Sequence, residues 1–362
     1  MNNEVIYKEL IAFHPGSYIE DLVEELNITQ AEFAERLGTS SKTVSKLING
    51  EERISNDVAN KLAKLTGVSI KTWMELQLSY DIKVMEIENS KTEDENEVCR
   101  LIDFSYFKQH NLVENKRYTL KEKISELRRL LNVSSLSMFY EFNEAVSYRN
   151  TQEFNEKSIV NSNIMLELAI NVARNKTDIK YNKKKLEKEL PNIRKMTLQD
   201  PDEFYPKLEE ILLECGIVLV ALPKLKNANL NGATKKFKNG SVLLLITDRN
   251  KRSDIFWFSL VHELGHIYHN DFYSDYEDVD LYNQRENQAD TFAQNFFIPI
   301  DVYTTFINDR NFNEKRVLEF AEKFEIHPSI LVGRLLHDEY IDYNELAHLR
   351  ISYNIIISEN FE

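Results

Sequence analysis

Cysteine is scarce: the 362 residues contain two, Cys99 and Cys215, far apart and in no CxxC pair. This excludes a disulfide framework and a cysteine-ligated zinc site, and leaves two plain reduced thiols. Long apolar runs are missing too. Stretches such as IVLVAL at 217–222 are far too short to span a bilayer, and the start, MNNEVIYKEL, lacks a basic end followed by an apolar segment. A cytoplasmic protein without membrane contact is expected. Positive charge is in deficit, with 45 cations against 59 carboxylates and a net of −14. The chain is therefore no polycation that coats nucleic acid, and any DNA contact has to come from a local patch. No internal repeat stands out. A composition of 42% apolar and 11% aromatic residues describes an ordinary acidic globular protein, and the length suggests two or three units.

Residues 14–80 read as five short helices with punctuation at nearly every boundary. After His14, Pro15 and Gly16 a first helix runs to about Leu26. Thr29 and Glu32 form a capping box for the second, which Gly38 closes. The third opens near Ser40 or Ser41 and ends at Asn49 and Gly50, with Val44, Leu47 and Ile48 on one stripe. A fourth starts at Ser55, buries Val58, Leu62 and Leu65 and stops at Gly67, and a fifth is anchored by Trp73. The charged stretch NSKTEDENE at 89–97 reads as a linker. Helical periodicity follows to about residue 200, including a basic run, IKYNKKKLEKELPNIRK, expected to be a solvated face. Beyond it, GIVLVALP at 216–223 and SVLLLIT at 241–247 read as strands, with ANLNGATKKF between them as a third. Helices then dominate to about 349, and the tail ISYNIIISENFE reads as a last strand or an arm. The fold class is α+β.

The chemistry concentrates in FWFSLVHELGHIYHND, residues 256–271. On a helix His262 and His266 are one turn apart on one face, the geometry that places two imidazole nitrogens on one Zn²⁺. Glu263, one position round, reaches the place where a metal-bound water would be deprotonated. A catalytic zinc needs a third protein ligand and one open position. ENQADTFAQNFF supplies Glu286 as that ligand, with Asp290 four residues on as the acceptor that orients a ligand histidine. Ala289 and Ala293 permit close helix packing, and Gly265 in mid-helix suggests that another backbone, a strand, passes close to that face. A structural zinc is the alternative. The segment DFYSDYEDVDLYNQR, with Asp271, Asp275, Glu277, Asp278 and Asp280, is either a solvated loop or an acidic lip for a basic substrate. One of Tyr268, Tyr273, Tyr276 and Tyr282 is a candidate oxyanion donor. The strand around Gly232, Ala233 and Thr234 offers either an open edge for an extended peptide or a paired core strand.

In a helix-turn-helix the second helix of the pair enters the major groove, so Ser41, Lys42, Thr43 and Lys46 are the candidate base readers and Gln30 a phosphate contact. Against this, residues 1–75 hold eight cations and twelve carboxylates, a net of −4. Long-range attraction to DNA is weak, so binding depends on a homodimer and on sorting of charge between faces. A protein-binding or dimerisation role is the alternative.

These residues carry two resemblances. The segment from HPGSYIEDLVEELNITQAEFAERLGTSSKTVSKLING through residue 81 resembles the Xre-type helix-turn-helix of HigA-type addiction-module antidotes. Residues 186–337, with NGAT, FWFSLVHELGH, ENQADTFAQNFFIP and FAEKFEIHPSILVGRLL, resemble the ImmA/IrrE zinc metallopeptidases. The resemblance implies a lambda-repressor-like all-α bundle at 1–88, a linker and helical middle segment at 89–200, a zincin-like domain with a small, mainly antiparallel sheet at 201–349, and a tail at 350–362. It further implies His262, His266 and Glu286 as Zn²⁺ ligands, Glu263 as general base and Asp290 as support. Family members cleave a helix-turn-helix repressor, usually encoded nearby, in response to DNA damage or mobile-element signals. A DNA-reading unit in the same chain departs from that pattern. The expected function is a regulator that binds operator DNA and cleaves a repressor or a toxin–antitoxin partner; the alternative is an antitoxin-like regulator whose peptidase domain only senses or binds a partner.

Overall fold

Hydroxyl side chains and left-handed glycines punctuate the first helices of the computed structural model, which describes residues 4–140, 156–248, 251–272 and 279–357. Helices α1 (Gly16–Glu25), α2 (Gln30–Leu37), α3 (Ser41–Ile48) and α4 (Asn56–Thr66) precede α5 (Ile70–Leu101). Thr29, Ser40 and Ser55 each accept a backbone N–H of the turn they open, and Gly38 and Gly67 close α2 and α4 at φ 69° and 76°. The second half of the expected capping box is replaced: Glu32 pairs with Arg36 at 2.7 Å. Ile19, Phe33, Val44, Leu47, Leu62 and Trp73 make one core. Gly16 packs against α3, where an added Cβ would lie 1.8 Å from the Leu47 carbonyl oxygen.

Two features of this unit depart from the sequence reading. An antiparallel hairpin, β1 (Glu4–Tyr7) and β2 (Leu10–Phe13), precedes α1, with Val5 opposite Ala12. Residues 89–97 are helical, continuing α5, where a linker was expected. One of their carboxylates is anchored by a distant segment: Asp94 accepts the Tyr7 hydroxyl at 2.6 Å and pairs with Lys8 at 2.6 Å. Contacts divide the chain at 96/97 into two units.

The second unit opens with α6 (Ser105–Gln109), α7 (Leu120–Leu131) and α8 (Glu156–Ala173), followed by α9 (Lys183–Lys195) and α10 (Pro201–Glu214). Strands β3 (Ile217–Leu222), β4 (Gly232–Lys236) and β5 (Val242–Thr247) form a sheet of order β3-β5-β4. The sheet is mixed: β3 pairs with β5 in parallel and β4 with β5 antiparallel. Alternation within each strand divides two cores. Ile217, Leu219, Val242, Leu244 and Ile246 belong to one, and Val218, Val220, Leu222, Leu243 and Leu245 to the other, which α7 and α8 cover. The first face receives α11 (Ser253–His269), α12 (Val279–Phe297), α13 (Ile300–Asn308), α14 (Glu314–Lys323) and α15 (Pro328–His337).

At Gly265 the neighbouring backbone is a helix, not the expected strand: an added Cβ would stand 3.1 Å from Ala289 Cα on α12. Among its described residues the tail forms no strand of the sheet. It makes one antiparallel bridge, Arg252 to Ser352, and inserts Tyr353 into the core, where the Trp257 indole N–H donates to its hydroxyl at 3.3 Å. Among the described residues no helix is long and apolar enough to cross a membrane.

Candidate metal centre

The packing of α11 on α12 brings His262, His266 and Glu286 together. One ligand atom from each lies within 4.8 Å of the others. The two Nε2 atoms are 3.1 Å apart, and Glu286 approaches them at 3.4 Å from Oε2 and 3.2 Å from Oε1. The opposite ring nitrogens are held by carboxylates: His262 Nδ1 by Asp290 at 2.7 Å and His266 Nδ1 by Asp271 at 3.1 Å. With each Nδ1 proton donated outward, both Nε2 lone pairs face one point. Burial pulls the His266 imidazole down, but its bonds to Asp271 and Glu286 and the Glu263 charge outweigh this and hold it above its ordinary value. A point surrounded by two lone pairs and a carboxylate, in a field that favours positive charge, fits a divalent cation, and this donor set suits Zn²⁺.

Glu263 is 1% exposed and lies on the wall of a cavity of about 470 Å³ that also contains His262, Glu286 and Asp290. Gly232 of the edge strand β4 backs onto it, where a Cβ would fall 2.6 Å from Glu263 Cγ.

Asp271 has a place that its sequence context did not signal. It was grouped with the acidic segment, yet it is buried, and Arg285 donates to its other oxygen at 2.7 Å. The available signal was Asn270, whose left-handed φ of 58° ends α11 and turns the chain back. Of the candidate tyrosines, Tyr268 donates to Glu187 at 3.0 Å and Tyr282 is buried, and neither lines the cavity; Tyr273 and Tyr276 lie outside the described residues, with Asp275, Glu277 and Asp278. Hydrogen-bond donors on the cavity wall include Asn229, Asn231, Ser259, Gln294, Arg334 and His337.

In the first unit Gln30 opens α2 and Ser41 opens α3, both exposed, and Lys42 is exposed beside them. Lys46 is partly exposed one turn on, and Thr43 is engaged with Ser40 at 3.0 Å.

Residues 19–73 match the helix-turn-helix family, and residues 216–336 match peptidase family M78, described as the IrrE N-terminal-like domain. Among curated proteins, the uncharacterized HTH-type transcriptional regulator YddM of Escherichia coli K12 is 31% identical over 88 residues, 24% of this chain and 89% of that one. Virulence-associated protein I of Dichelobacter nodosus is 25% identical over 79 residues, 22% of this chain and 73% of that one. Among solved structures, a putative antidote protein of a plasmid maintenance system from Nostoc punctiforme shares 36% identity over 23% of this chain and 89% of its own, with a TM-score of 0.22. A HigA-family addiction module antidote protein from Coxiella burnetii shares 32% over 24% and 94%, with a TM-score of 0.21.

Proposed function

We propose that this chain, whose residues 19–73 match the helix-turn-helix family and whose residues 216–336 match the IrrE N-terminal-like domain, is a cytoplasmic DNA-binding regulator with zinc-dependent endopeptidase activity. Its substrate is a helix-turn-helix repressor or a toxin–antitoxin component, cleaved in a stress or mobile-element response. The observation that carries this reading is the convergence of His262, His266 and Glu286 within 4.8 Å, with His262 and Glu286 on the wall of a cavity that Glu263 shares.

His262, His266 and Glu286 would hold the ion, and Asp290 and Asp271 keep both imidazoles in the ligating orientation. When bound, Zn²⁺ supplies Lewis acidity toward a water and the scissile carbonyl. Glu263 accepts the proton of the attacking water and returns it to the leaving amine. Strand β4 lies at the sheet edge beside Glu263, which supports an extended substrate laid along it. In the first unit the exposed start of α3, with Ser41, Lys42 and Lys46, supports contact with a DNA groove, with Gln30 as a phosphate contact.

The test compares wild type with Glu263→Gln, both loaded with zinc and incubated with repressors and toxin–antitoxin proteins encoded beside the chain. Wild type should release fragments and Glu263→Gln should not, a loss on the order of 10²-fold or more for a missing general base. Equal operator-DNA shifts by both proteins with no fragments from either would overturn the reading.

A further inference from the structure

The cavity lined by His262 and Glu286 extends along α11 to its first turn, where Asp254 lies. Asp254 and His262 are eight residues apart on one helix, about 12 Å by helical rise, and Phe258 and Ser259 line the wall between them. Asp254 is 3% exposed. Its Oδ1 accepts no hydrogen bond, and the Arg350 guanidinium stands 3.6 Å from Oδ2, outside hydrogen-bonding reach. Helix α15 crosses so closely that a Cβ on Gly333 would lie 2.6 Å from Oδ2, so the absence of a side chain there leaves room for the carboxylate. Burial pushes the Asp254 carboxyl up, and Arg350, the backbone N–H groups of Asp254 and Ile255 and the Arg252 charge only partly pull it back. A buried carboxylate so placed gains from a second cation.

The rest of the lining has the same sign. Asp254, Glu263, Glu286, Asp290 and Asp338 share the lining with one guanidinium, Arg334, which is already engaged, while Arg350 stands behind Asp254. Arg334 donates from Nη1 to the Ile298 and Gln294 carbonyls at 3.1 and 3.4 Å, lies 3.7 Å over the Tyr303 ring, and turns Nε toward Asp338 at 3.9 Å.

We propose that Asp254 is a specificity-determining residue that receives the ammonium or guanidinium group of a substrate lysine or arginine next to the scissile bond. The proposal rests on the hydrolytic reading above and names its substrate class, a basic polypeptide segment. The long aliphatic stem of such a residue lies along Phe258 while its charge reaches Asp254, a span that a short side chain does not cover.

The experiment uses the zinc-loaded full chain and internally quenched peptide libraries carrying Lys, Arg, Gln, norleucine or Glu at each position. Wild type should cleave peptides with Lys or Arg at one subsite at least tenfold faster, in kcat/KM, than those with norleucine or Gln. Asp254→Asn should bring the two classes near parity while retaining the norleucine rate. In wild type alone, n-butylammonium should inhibit competitively at a tenfold lower concentration than n-butanol, a readout that does not depend on how the variant folds. Cleavage without a basic preference, or a preference that Asp254→Asn retains, overturns the proposal and leaves the hydrolytic reading intact. Zinc bound at one equivalent with no peptide cut overturns both.

Discussion

Each imidazole of the centre is held from behind by a carboxylate, Asp290 on His262 and Asp271 on His266. Removing such a partner typically weakens metal affinity about 10–100-fold. Asp290→Asn and Asp271→Asn should each do so in chelator competition, and an unchanged affinity would show that the two carboxylates do not orient the ligands. Gly232→Ala should separate binding from chemistry, because its Cβ would press on Glu263 Cγ from 2.6 Å. Zinc affinity should persist while hydrolysis falls at least tenfold; unchanged turnover would contradict the placement of Glu263. The shared faces of His262 with His266 and of Glu286 with Asp290 were legible in sequence, because spacing of four on a helix fixes a face; their meeting rests on the packing of α11 on α12. Asp271 was not. Its contact depends on the left-handed turn at Asn270 and on Arg285 from the next helix, and no periodicity reports either.

The helices of the first unit were readable wherever a cap marks them, since Ser, Thr and Gly act through local backbone bonds. The hairpin Glu4–Phe13 and the helical course of 89–97 were not, because both rest on contacts between distant segments, such as Tyr7 with Asp94. The junction of α1 and α3 provides a direct test. Gly16→Ala should destabilise this unit by about 3 kcal/mol or more, since its Cβ would collide with the Leu47 carbonyl; a thermal melt shifted only slightly would refute that packing. His14 makes the same junction pH-sensitive. It is buried, its Nδ1 accepts the Gly16 N–H at 3.0 Å, and burial holds its pKa below the ordinary 6.5 against the pull of Asp81. The folded state therefore prefers the neutral ring. Stability is full above the ordinary value and drains away as pH falls below it, so melts between roughly pH 7 and 5 should show a decline that His14→Asn flattens.

Across the whole chain, the proposed pairing of a DNA-reading module with a protease in one polypeptide would raise the effective concentration of the enzyme where a DNA-bound substrate sits, without strong active-site affinity. Because the chain carries a net charge of −14, operator affinity should depend on few cations. Lys42→Ala and Lys46→Ala should each lower it and reduce the salt slope by about one; unchanged slopes would place the DNA contact elsewhere. The division into two units follows contacts that composition only hinted at, and α8 covers a sheet face that sequence assigned to no partner. The account stands on an open metal centre. X-ray absorption at the zinc edge of the loaded protein should report two imidazole nitrogens and two oxygens at about 2.0–2.2 Å, one oxygen exchangeable for a hydroxamate. A third protein nitrogen, a sulfur, or four ligands that no hydroxamate displaces would contradict it.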